Sequence, residues 1–306
     1  MDLSYFAVIL SGAVICTPLF WVLLKKNGGK GACALLALPL AAMLSLACAK
    51  AGYFLLRIDR EWPRWGLAGL LRFSYRELSF FCGCAGAVLG AALAGKITGQ
   101  PVKKTLDLFA PCGALMAAFA RGAEYFLPGM NLPSREIGPE FLRRFPFAVS
   151  NEYEEWYAAL FMLSALLALI VCAVFLLRKA EKRVPGLRLE RTAFYLCLPQ
   201  IFMESLRSDS ITWGFVRCEQ VLCAACLLAL LVRGCLRAKE KGFFKTWWPV
   251  LADLLCVLLL VVIEFNLDRG YIPLSVAGNY AVMAAVLLGI AACEIYCTRR
   301  RLQRAE

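Results

Sequence analysis

The sequence predicts an all-α fold: a polytopic integral membrane bundle of about nine transmembrane helices. Three observations carry this. Hydrophobic residues make up 61% of the 306 positions and the mean hydropathy is +0.66, where an ordinary soluble domain is roughly half apolar. The apolar residues gather into runs of about 20, the length an α-helix needs to cross a ~30 Å hydrocarbon core. The basic residues that produce a net charge of +12 sit in short clusters between those runs. Lipid offers no partner to a backbone N–H or C=O, so such runs are read as helices.

The first segment, Leu3–Leu24, is too long for a signal-peptide core and no basic residue precedes it, so it is read as an uncleaved span. The second is Ala32–Leu56, the third Leu78–Ala94 and the fourth Leu106–Leu127. The fifth, Trp156–Leu177, is the cleanest. The sixth, Thr192–Leu206, is short and holds Pro199; Val216–Val232, Trp248–Leu267 and Ile272–Cys297 complete the set. Gly83, Gly86, Gly90 and Gly95 in the third segment permit a close helix approach.

Loop charges predict the orientation. With the N-terminus outside, the inner loops carry Lys25, Lys26 and Lys30; Lys96, Lys103 and Lys104; six basic residues over Arg178–Arg191; Arg233 to Lys245; and the Arg299–Arg304 tail. The outer loops hold about half as many, so the positive-inside rule places the C-terminus in the cytoplasm. Arg57–Glu77 carries five Arg on the other side; with Trp62, Pro63 and Trp65 it is read as an interfacial segment. The long outer stretch Pro128–Glu155, with Pro128, Pro133, Pro139 and Pro146, is the natural cap for a membrane-embedded site. The basic clusters face headgroups, which excludes nucleic acid as the expected partner.

The chain has fifteen Cys and no His. Cys16, Cys48, Cys172, Cys223 and Cys256 lie in apolar runs, where they serve as small hydrophobes. Cys223 and Cys226 have metal-ligand spacing but no second ligand pair, and neither metal nor cofactor is expected. Without His, acid–base chemistry falls to Glu, Asp, Lys, Tyr or Cys.

Charges inside spans mark interior, functional positions. Arg121 and Glu124 in the fourth segment, and Glu204 and Arg207 in the sixth, are each spaced i, i+3 and share a helix face. Lys50 precedes Tyr53 by three residues in the second. Two readings follow: the pairs neutralise each other, or they line a basic pocket whose Arg forks bind a lipid phosphate.

These residues stand in motifs that resemble the prolipoprotein diacylglyceryl transferase family. Leu78-Ser79-Phe80-Phe81-Cys82-Gly83 is similar to M-S-F-H-G-G, and Asp107-Leu108-Phe109-Ala110-Pro111 to D-x-x-A-P. Ala120-Arg121-Gly122-Ala123-Glu124-Tyr125 is similar to G-R-x-G-N-F, and Ser150-Asn151-Glu152-Tyr153-Glu154 to S-Q-L-Y-E. Glu204-Ser205-Leu206-Arg207 resembles E-F-F-R, Ala49-Lys50-Ala51-Gly52-Tyr53 resembles G-R-I-G-Y, and Tyr5 and Gly12 match a Tyr and a Gly of the first span. The motif His is Phe81 here, its Asn is Glu124, an Arg is Gln200 and a Tyr is Leu196.

The resemblance covers about Leu3–Val232, which divides the chain into a seven-helix core, 1–235, and two further spans with a basic tail, 236–306. It implies transfer of a diacylglyceryl group from phosphatidylglycerol to a lipobox cysteine in the signal peptide of a prolipoprotein, at the bacterial cytoplasmic membrane. Arg121, Glu204 and Glu124 are the implied catalytic residues, Arg121 on the phosphate and one Glu as base. Lys50, Arg207, Tyr5, Ser79 and Tyr153 are the implied substrate contacts. The departures leave a second class in view, a relative that binds anionic lipid or lipoprotein signal helices without chemistry. A small-solute transporter is a weaker third reading, since no pair of broken spans occurs in corresponding halves.

Overall fold

The computed structural model describes residues 3–72, 74, 77–127, 136–137, 140–151, 153–178, 184–213, 216–238 and 243–304. Among them are nine helices of 18 residues or more: α1 (Leu3–Lys26), α2 (Gly31–Leu56), α4 (Phe80–Ile97), α5 (Val102–Ala123), α6 (Leu160–Leu177), α7 (Leu187–Leu206), α8 (Cys218–Ala238), α9 (Phe243–Arg269) and α10 (Val276–Gln303). A short helix α3 (Ile58–Trp65) follows α2 and continues into a 3-10 turn, Gly66–Leu70. Two antiparallel hairpins complete the structure: β1 (Ala148–Ser150) with β2 (Trp156–Ala158), and β3 (Thr212–Trp213) with β4 (Val216–Arg217). Eight of the long helices are apolar enough to cross a membrane. The protein is an all-α polytopic membrane bundle.

The ninth, α7, has spanning length but carries Arg188, Glu190, Arg191 and Glu204, all buried. The apolar run of the sixth segment begins only at Thr192, after a charged turn. The helix in fact starts at Leu187, because that charged turn finds partners inside the bundle. The last helix likewise begins later than read, at Val276: Ser275 caps it by accepting from the Gly278 N–H, and Pro273 lies just before.

Helix α5 is the hub, packed against α1, α4, α6 and α7. The closest contact is α2 on α4. A Cβ on Gly90 would lie 2.5 Å from Ala41 N, and one on Gly86 would lie inside the Leu44 carbonyl. Only glycine lets these two backbones meet, so the small-residue spacing of the third segment is a packing device. Gly12 does the same for α1 against Phe119 of α5, where an added Cβ would meet the ring at 2.7 Å. Helices α9 and α10 share one apolar cluster with α7 and α8, built around Phe194, Leu227, Leu260, Met283 and Ile290.

In α3, Glu61 is buried while Trp62 and Trp65 stay half exposed. Pro128, Pro133, Pro139 and Glu152 of the expected outer cap, and Lys179, Lys182, Arg183 and Lys241 of the loops, lie outside the described residues.

Candidate functional site

One end of the bundle gathers the C-terminal ends of α2, α5 and α7 with the N-terminal ends of α4 and α8. Alternating chain direction brings these ends together, and each contributes polar side chains.

Arg121, in the last turn of α5, is 3% exposed. Its Nη1 donates to Glu124 Oε1 at 2.7 Å, the i, i+3 pair expected from the spacing. Its guanidinium lies 3.7 Å from the centre of the Phe80 ring, a cation–π contact strengthened by desolvation. Nε and Nη2 of Arg121 are buried without a hydrogen-bond partner among the described residues, as are Glu124 Oε2 and Glu204 Oε2. Buried polar atoms are seldom left unpaired, since each costs about 1–3 kcal/mol. Four such atoms lie in these two charge pairs. Arg121 lines a narrow, partly open cleft between α4, α5, α6 and α7; Phe80, Ser164, Pro199, Gln200 and Met203 form its other walls.

Glu204 forms the second group. Its Oε1 accepts from Gln200 Nε2 at 2.8 Å and from Arg207 Nη1 at 3.3 Å. Arg207 also grips Asp209 through Nε and Nη2, at 2.9 and 3.1 Å. Arg217, from β4, donates to the carbonyls of Glu204 and Arg207 at 2.6 and 2.7 Å. It thereby satisfies two of the carbonyls a helix C-terminus leaves open. Gln200 connects the two groups, since it lines the Arg121 cleft and holds Glu204.

The third group lies at the start of α4. Ser79 caps the helix by accepting from the Cys82 N–H, and its hydroxyl donates to Glu219 Oε1 at 2.5 Å. Glu219 Oε2 accepts from the Phe81 N–H at 3.0 Å. Glu219 is 4% exposed, and the positive end of the α4 dipole supports its charge. The sequence reading missed this residue, although a carboxylate within the seventh apolar run carried the same signal as Glu204. Asp209 and Arg217, in a loop and a hairpin, carried none.

Other expected site residues lie apart from the cleft. Lys50 Nζ is held by Glu77 Oε2 at 2.7 Å and sits over the Tyr53 ring. Tyr5, near the start of α1, packs edge-on to Phe6. Tyr153 is 82% exposed at the turn of the β1–β2 hairpin. Neither tyrosine lines the cleft.

Asp107 has a structural position. Its Oδ2 accepts from the Gly186 N–H at 2.6 Å and its Oδ1 from the Leu189 N–H at 3.0 Å, which caps α7 from a neighbouring helix. Fourteen residues separate it from Arg121 along α5, about 21 Å at the helical rise.

The model of the prolipoprotein diacylglyceryl transferase family matches residues 3–234. This chain belongs to that family. A phosphatidylglycerol–prolipoprotein diacylglyceryl transferase of Clostridium novyi (strain NT) is 24% identical over 219 residues, which cover 69% of this chain and 80% of the relative. No solved structure matches the chain. Helices α9 and α10 lie beyond the family match.

Proposed function

We propose that the protein transfers the diacylglyceryl group of phosphatidylglycerol to the thiol of a lipobox cysteine in a prolipoprotein signal peptide. The proposal places it in the bacterial cytoplasmic membrane with the N-terminus outside and the C-terminus in the cytoplasm. In this reaction a C–S bond forms at the glyceryl carbon that carries the phosphate. The C–O bond to that phosphate breaks, glycerol phosphate leaves, and the thiol proton passes to a base.

The observation that supports this reading is Arg121: a buried guanidinium with two unpartnered nitrogens, lining a cleft among spanning helices. A phosphate fits that fork bidentately, and low local dielectric strengthens the contact. Glu124 occupies one side of the guanidinium and leaves the other open. The thiolate is the nucleophile. With no His in the chain, the base is a carboxylate, and Glu204 is the better placed, with Oε2 unpartnered beside Gln200 of the cleft. Arg207 orients Glu204 on the far side. Ser79 and Lys50 act through Glu219 and Glu77 and shape the end of the bundle. Tyr153, exposed on its hairpin, and Tyr5, near the start of α1, are the residues assigned to first contact with an incoming peptide or lipid.

The test is expression in cells depleted of their own transferase, with the mass of a lipobox peptide as readout. Arg121→Ala should reduce transfer about a hundredfold, since the lost charge-assisted contact is worth about 2–3 kcal/mol, while the protein remains folded. Glu204→Gln should cost roughly 10²–10⁴ in rate. Phe81→His with Gln200→Arg should raise activity, because residue 200 already lines the cleft and contacts Glu204. Wild-type protein that binds phosphatidylglycerol specifically yet transfers nothing would overturn the proposal.

A further inference from the structure

The opposite end of the bundle carries a second buried charge network that the transfer reaction does not use. Glu190, in the first turn of α7, is held by three arginines from two other helices. Arg233 Nε and Arg237 Nη1 of α8 reach its Oε1 at 2.9 and 2.7 Å, and Arg301 Nη1 of α10 reaches its Oε2 at 2.7 Å. Beside it, Arg191 Nε pairs with Glu294 Oε1 of α10 at 2.9 Å. The hydroxyls of Tyr195 and Thr298 donate to the same carboxylate at 2.8 and 2.6 Å.

Among the described residues, four guanidinium groups meet two carboxylates. A buried guanidinium nitrogen left without an acceptor is costly unless an anion completes it. Arg301 is 7% exposed, and its Nη2 is buried with no hydrogen-bond partner among the described residues. It lines a narrow, partly open cleft between α7, α8 and α10. Glu190, Arg191 and Glu294 form the polar part of that cleft, and Phe194 and Leu230 give it an apolar wall. Gly234, buried in α8, also lines it: an added Cβ there would have only Cys297 Cβ near it, at 3.7 Å. Arg233 and Arg237 approach from the more exposed side, with side chains 50% and 33% accessible.

We propose that this cleft is a second anion site, which takes a phosphate group. An arginine-rich cleft beside an apolar wall suits a phosphodiester with its acyl chain in the bilayer. A free phosphate offers the same chemistry without the chain. The site is separate from the Arg121 cleft: Glu190 and Glu204 are 14 residues apart on α7, about 21 Å along its axis. One of its walls is α10, outside the region shared with the family.

The experiment uses the full chain in detergent with Arg121→Ala as background, so that only the second site is read. Native mass spectrometry measures retention of phosphatidylglycerol against phosphatidylcholine, and a thermal-shift series measures stabilisation by inorganic phosphate. The background protein should retain phosphatidylglycerol but not phosphatidylcholine. Arg233→Gln with Arg237→Gln should weaken retention about thirtyfold, at about 1 kcal/mol for each basic side chain. Gly234→Leu, which fills the cleft and leaves every charge in place, should weaken it as well. Stabilisation by inorganic phosphate that both variants abolish supports the site with a free phosphate as its source. Lipid retention without such stabilisation supports it with a headgroup as the source. Unchanged binding in Gly234→Leu, or in the double variant, overturns the proposal.

Discussion

Asp107 stands in a motif shared with the family, yet the structure gives it a backbone role that mutation can separate from chemistry. Its carboxylate accepts two N–H bonds at the first turn of α7, where the helix dipole favours negative charge. Hydrogen bonds to a charged group are worth about 1.5–3 kcal/mol each, and a lost N-cap costs about 0.5–2 kcal/mol. Asp107→Ala leaves two N–H donors unsatisfied in a buried position and should cost about 3 kcal/mol. Asp107→Asn keeps one acceptor oxygen and should lose about half as much. Thermal unfolding in detergent should therefore rank wild type above Asn and Asn above Ala, with several degrees between the extremes. Transfer per folded molecule should change less than about threefold, because Asp107 is a helix length from Arg121. An Asp107→Ala protein of wild-type stability with transfer reduced a hundredfold would refute the capping role.

Three further outcomes follow from the same geometry. Glu219→Ala should destabilise by about 2–4 kcal/mol because it orphans the Ser79 hydroxyl and the Phe81 N–H. Glu219→Gln, which keeps an acceptor for that N–H, should be milder in the same melt, and equal effects would count against the contact. Gly90→Ala should force α2 from α4 at a cost of about 1–3 kcal/mol, read as a lowered denaturant midpoint; a neutral effect would deny the close approach. Cysteines introduced at Tyr153 and Lys26, both exposed, should label with a membrane-impermeant maleimide from opposite faces. Labelling from one face would remove the proposed topology.

What was legible in the sequence depended on how far each cause reached along the chain. Spans and short-range pairs were readable: apolar runs marked the eight apolar helices, and i, i+3 spacing anticipated Arg121 on Glu124 and Arg207 on Glu204. Partners distant in sequence were not. Nothing local to Lys50 names Glu77, 27 residues on, and nothing near Asp107 names the start of α7, 79 residues on. The start of α7 was misread for the same reason, since Glu190 and Arg191 look like loop residues until their partners in α8 and α10 are known. Glu219 was legible by the rule that flagged Glu204.

The family match ends at residue 234, which invites treating 1–235 as a complete core. Yet α7 is the one helix of spanning length that is not apolar enough to be counted with the other eight. Burying an unpaired charge is costly, and Arg188, Glu190 and Arg191 are buried near the start of α7, so α7 depends on neighbours that neutralise its charges. Helix α10 supplies Glu294 to Arg191 and Arg301 to Glu190, and Arg237 at the end of α8 adds a third contact. Truncation after residue 235 removes all of these, together with the α9 and α10 share of the apolar cluster around Met283 and Ile290. Removing one partner from a buried pair costs about 3–5 kcal/mol; here Arg191 loses Glu294, and Glu190 keeps only the half-exposed Arg233 of its three arginines. That loss is comparable to the whole stability of an ordinary domain. The 1–235 chain should therefore fail to accumulate as folded protein. Co-expression with 236–306 as a separate chain should restore it, because the contacts are non-covalent. A 1–235 chain that melts with the full-length protein would show that α9 and α10 are an addition to a self-sufficient core.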